Sequence, residues 1–71
     1  MNKDVVKELK KRYPKGTRIE LIHMDDAQAP PYGTEGTVSH VDDIGSIHVD
    51  WDNGSGLAVI PFKDVFKKVR L

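Results

Sequence analysis

Apolar residues fall in two distinct rhythms along this 71-residue chain. Between residues 2 and 13 the positions Val6, Leu9 and Tyr13 repeat at three and four residues, with Val5 beside them and lysines opposite, which predicts an amphipathic helix. Asn2 suits its N-cap, Asp4 its first turn, and Pro14 ends it by pushing the preceding residue out of the α region. Beyond Lys15-Gly16 the period drops to two. Residues 17–23 place Ile19 and Leu21 on one face of a strand and Arg18, Glu20 and Ile22 on the other, so the apolar Ile22 implies a second face that is partly covered, with the helix as the candidate cover. In residues 47–52, Ile47, Val49 and Trp51 alternate with His48, Asp50 and Asp52, the pattern of a half-buried strand.

The strand over 36–41 does not alternate cleanly. Val38 and Val41 are three apart, and both face inward only if a bulge lies near Ser39-His40. Residues 24–34, with Asp25-Asp26, Pro30-Pro31 and Gly33, read as the longest loop. Asn53-Gly54 predicts a type I′ hairpin turn into an apolar strand at Leu57 to Ile60, which Pro61 closes. The tail from Lys63 fits either a helical turn or a closing strand with a kink. The expected architecture is mainly β: one domain over 1–71, with a helix at 2–13 and a small five-stranded antiparallel barrel over 17–71.

Composition narrows the class. A chain this short buries a limited core, and with no cysteine it has neither disulfides nor thiolate metal ligands, so packing alone must hold it, as suits a reducing cytoplasm. Its longest clean apolar run, Leu57 to Ile60, is too short to span a bilayer, and the first residues lack a signal-peptide apolar region, so a soluble protein off the membrane is expected. Net charge is zero but zoned: residues 1–18 carry seven Lys or Arg against two acids, residues 19–60 eight acids and no base, and residues 61–71 four bases against one acid. The simplest arrangement lays the basic ends across the acidic middle.

No catalytic motif emerges. Asp25-Asp26 and Asp42-Asp43 lie in turns, where aspartate caps backbone amides, and no serine or cysteine stands in a nucleophile elbow. His48, Asp50 and Asp52 share a strand face near His40, Asp42 and Asp43. Strand spacing nevertheless keeps them from converging at the roughly 2 Å a metal requires, so neither metal nor cofactor is expected.

The segments Tyr13-Pro14-Lys15-Gly16-Thr17-Arg18, Met24-Asp25-Asp26, Gly36-Thr37-Val38, Val41-Asp42-Asp43-Ile44-Gly45 and Val49-Asp50-Trp51-Asp52-Asn53-Gly54-Ser55 resemble the bacterial and phage family catalogued as domain of unknown function 4314, across almost the whole chain. That resemblance implies no activity. The strand and loop plan is similar to the Src-homology-3-like barrel. The Val49 to Gly54 hairpin is similar to that of peptide-binding Mind-bomb-type barrels, and Gly33 to Val38 to KOW-type barrels of ribosomal and transcription proteins.

Taken together these residues lead to a non-catalytic, monomeric interaction module. Its expected surface is the 24–34 loop with Tyr32 exposed at its end, and Asp26, Asp50 and Asp52 selecting a basic peptide or protein. The competing reading is weak, sequence-independent nucleic-acid binding, in which Lys7, Lys10, Lys11, Lys67, Lys68 and Arg70 contact phosphate. Convergence of the two basic clusters would favour the second reading.

Overall fold

The structure, a computed structural model, describes residues 2–69. Its elements are α1 (Lys3–Arg12), β1 (Arg18–His23), β2 (Glu35–Val41), β3 (Ile47–Trp51) and β4 (Val65–Lys68). The helix starts where the sequence predicts, because Asn2 Oδ1 accepts the Val5 amide at 2.8 Å and satisfies a donor with no intrahelical partner. Lys10, Lys11 and Arg12 in the last turn complement the helix dipole. Val6 and Leu9 are buried, and Leu9 joins Ile19 and Leu21 in one core cluster. The helix therefore covers the Ile19–Leu21 side, and half-buried Ile22 lies on the other.

All strand pairs are antiparallel, in one sheet of order β3-β2-β1-β4. The tail resolves as a strand, with Phe66 opposite Leu21 and Lys67 opposite Glu20. The β2–β3 register shifts between Val38 and His40, so the bulge is real and brings Val38 and Val41 to the same buried side. At Gly36 β2 and β3 approach too closely for a side chain. A Cβ there would lie 2.6 Å from Val49 Cγ1 and 2.8 Å from Trp51 Cε3.

Four strands in an open sheet replace the expected five-stranded barrel. Residues 57–60 do follow β3 in hairpin register, since Trp51 N–H donates to Ser55 O and Ile47 exchanges both backbone bonds with Val59. Between those points the ladder is broken. Trp51 Nε1 takes the Leu57 carbonyl at 2.9 Å and Ser55 Oγ takes the Leu57 amide at 3.3 Å, so the chain peels off β3 for the length of one pair. Residues 52–64 link β3 and β4, the opposite edges of the sheet, with Val59 bridged to Ile47 and buried in the core cluster. An irregular segment thus covers the core where a strand was expected.

The Asn53-Gly54 turn also differs from expectation. Only Gly54 has positive φ, at 91°, whereas a type I′ turn requires it at both central residues. Gly54 N–H donates to Trp51 O and Trp51 N–H to Ser55 O, the bonds of a type I turn followed by a glycine bulge. Asn53 Oδ1 accepts the Ser55 amide at 3.0 Å, which fixes Asn53 through its side chain and leaves the left-handed position to glycine.

Candidate interaction surface

The loop before β2 is ordered by its own hydrogen bonds. Asp26 Oδ1 accepts the Gln28 amide at 2.8 Å and Asp26 O accepts the Ala29 amide at 3.0 Å, while Met24 and Pro30 are buried as anchors. Pro31 O then accepts both the amide (3.1 Å) and the hydroxyl (2.7 Å) of Thr34, closing a turn with Tyr32 and Gly33 at its centre. With φ at 85° on Gly33 alone this is a type II turn, which places Tyr32 at its outer corner. Gly33 N–H and Leu21 N–H bond to Leu21 O and Thr34 O respectively, both at 2.8 Å, so the turn extends the β1 ladder. Tyr32 is 76 % exposed on this rigid support.

The acidic side chains nearby are not equivalent. Arg18 of β1 reaches across the sheet: Nη1 donates to Asp52 Oδ1 (2.9 Å) and Thr37 Oγ1 (2.9 Å), and Nη2 to Asp52 Oδ2 (2.6 Å) and Glu35 Oε1 (3.2 Å). The two-pronged pair holds the Asp52 carboxyl below its ordinary range and raises the Arg18 guanidinium further above its own. Asp52 is therefore committed to a cation of its own chain. Asp50 is exposed, and among the described residues neither it nor Asp26 makes an ion pair. Glu20 borders the Tyr32 turn, its Oε2 lying 3.9 Å from where a Cβ on Gly33 would be.

Farther along this sheet face His40 and His48 pair across β2 and β3 with their rings stacked, centroids 4.3 Å apart and 6° from parallel. His48 Nε2 donates to Asp42 Oδ2 at 2.8 Å, the direction fixed by a carboxylate that only accepts. Asp42 Oδ1 also accepts the amides of Ile44 and Ser46, and the His48 bond leads in holding the Asp42 carboxyl below its ordinary range, with the two amides adding to it. Asp42 is thus the cap of the β2–β3 turn. Among the described residues no group of three or more His, Asp or Glu is arranged to hold a metal ion.

The basic residues of the two ends meet different partners. Lys10 Nζ binds Asp43 Oδ1 at 2.8 Å, at the β2–β3 turn, and shares a shallow groove of about 590 Å³ with Lys3, Asp4, Val6 and Lys7. Lys67 Nζ lies 3.7 Å from Glu20 Oε1 on the polar sheet face. Lys68, on the alternate side of β4, sits 5.2 Å above the Tyr13 ring, which in turn meets Phe66 edge-on at 5.6 Å. Lys7 and Lys11 are exposed on the helix, and Arg70 lies outside the described residues. Lys10, Arg18 and Lys67 each end on carboxylates of the central segment, the arrangement that the charge zoning suggested.

Sequence reasoning missed Phe62. It is 87 % exposed with φ at 72°, the one non-glycine residue with positive φ among those described. Its only sequence signal is the apolar run Ile60-Pro61-Phe62 set against Lys63-Asp64.

A family model described as Domain of unknown function (DUF4314) matches residues 2–69. No curated protein and no solved structure matches the chain. No helix among the described residues is long and apolar enough to cross a membrane.

Proposed function

The chain belongs to the DUF4314 family, whose description carries no activity, and from its own surface we propose that it is a non-catalytic cytoplasmic module that binds a basic peptide or protein segment. Tyr32 is the anchor, with Asp26 and Asp50, which make no ion pair among the described residues, receiving the cations. One observation carries this reading: a three-quarters exposed aromatic at the corner of a turn whose backbone is bonded into β1. Such an aromatic loses little entropy on binding and offers a large amphipathic face. Asp52, paired with Arg18, orients the acidic face and does not bind directly. Nucleic acid ranks second, because Lys10 and Lys67 are engaged at separated carboxylates and Lys68 on an aromatic ring.

The test is titration of the protein with a panel of lysine- and arginine-rich peptides and, separately, with duplex DNA. Tyr32→Ala is expected to weaken peptide binding by about tenfold or more while leaving the thermal midpoint in place. Unchanged affinity in that variant, or tighter binding to DNA than to any peptide, would overturn the proposal.

A further inference from the structure

The turn that carries Phe62 is built to hold an unfavourable residue. Asp64 is buried, and its Oδ2 accepts the Ile60 amide at 2.8 Å. Ile60 O in return accepts the amides of Lys63 (3.2 Å) and Asp64 (2.9 Å), and Pro61 is buried between them. Inside this closed turn Phe62 adopts the left-handed conformation, which aromatic residues avoid, and directs its ring outward. Both features act against the isolated fold at one residue. Strain that surrounding structure maintains is concentrated at functional positions such as active sites, ligand clamps and switches.

Phe62 also forms a wall of a groove of about 240 Å³ whose other lining residues are Val5, Glu8, Leu9 and Arg12 of α1. The groove is smaller than the roughly 300–1,000 Å³ of small-molecule sites and suits a single large side chain. Its charges are one anion and one cation a helical turn apart, Glu8 Oε1 and Arg12 Nε at 3.6 Å. A strongly basic or acidic partner gains nothing from such a pair. A copy of the same surface, turned about a two-fold axis, sets Glu8 against Arg12 of the second copy and Arg12 against its Glu8.

We propose that the chain forms a two-fold dimer in which Phe62 of each copy covers Val5 of the other, in the groove above buried Leu9, with Glu8 and Arg12 paired across the axis. A ring of this kind buries about 150–250 Å², so the interface falls in the class below about 1,200 Å² and exchanges readily. The surface is formed by residues other than those assigned to peptide binding, so the two proposals stand or fall separately.

Sedimentation velocity over about a hundredfold concentration range tests the dimer. The unmodified chain is expected to shift from monomer to dimer within that range. Phe62→Asn, which suits the left-handed position, should keep the fold by circular dichroism and remain monomeric. Glu8→Arg and Arg12→Glu should each weaken self-association about tenfold, while an equimolar mixture of the two variants recovers a mixed dimer. The proposal is overturned if the unmodified chain stays monomeric throughout. It also fails if Phe62→Asn dimerises as the unmodified chain does, or if the mixture associates no better than either variant alone.

Discussion

The indole N–H of Trp51 donates to the backbone carbonyl of Leu57 at 2.9 Å, and this side-chain bond stands where a backbone pair of a fifth strand would otherwise form. Trp51 is 3 % exposed, packed on the core side of β3 with Ile47 and Val49. One residue therefore both fills the core and fixes the segment that covers it.

Two substitutions separate those roles. Trp51→Ala removes packing and bond together and should cost about 3–5 kcal/mol. Trp51→Phe keeps most of the ring but leaves the Leu57 carbonyl without its donor, for a loss of about 1–3 kcal/mol. Chemical denaturation measures both. A Phe variant as stable as the parent would mean that the Leu57 carbonyl finds another partner and that the break in the ladder has a different cause.

Gly36→Ala should be severe for so small a change. The added methyl meets Val49 Cγ1, Trp51 Cε3 and the Asp50 carbonyl at 2.6, 2.8 and 3.1 Å, and the last of these is backbone. Overpacking of this kind costs about 1–3 kcal/mol. A thermal melt of Gly36→Ala beside Gly56→Ala, where nothing lies within 4 Å, isolates the effect.

Acid should weaken the fold through Asp42 and Asp52. Their folded carboxyls ionise below the ordinary value of 3.8, Asp42 chiefly through the His48 bond and Asp52 through the Arg18 pair. A carboxyl with a lowered folded pKa contributes stability that is present above its unfolded value and is lost as pH falls through the folded one. The thermal midpoint should thus be insensitive to these groups near neutrality and drop on acidification below 3.8. Asp52→Asn should make that drop shallower. An identical acid profile in Asp52→Asn would remove the Arg18 pair from the account.

What the sequence made legible was local. The helix and its Asn2 cap, the strict alternation of Ile47 to Trp51, and the Ser39-His40 bulge each follow from residues within a few positions of one another. The long-range features were not legible. Arg18 and Asp52 are 34 residues apart, and no period links them, so an acid read as open to a partner proves to be held by β1. Leu57 to Ile60 carries a strand's composition, and its departure from β3 depends on where the Trp51 indole points. Asn53-Gly54 illustrates the same limit at short range, since the Asn53 side chain caps Ser55 and selects a different turn. The left-handed conformation of Phe62 was not legible, because it sits in a turn closed by the Asp64–Ile60 bond.

The pairing of β4 with β1 sets the order in which the molecule can be completed. Ile19 waits for Lys68, so during synthesis the first strand remains without its outer neighbour until the whole of β2, β3 and the segment after them has been made. Helix α1 can form early, and the β2–β3 hairpin soon after Trp51 is made, but the sheet gains its last member only when β4 is made. A pairing this distant in sequence forms more slowly than the local contacts of the helix and hairpin. Until then the β1 edge is an unpaired template for any extended segment, including the β4 of another copy. The two lysines of β4, on opposite sides of the strand, are the local feature that discourages such exchange.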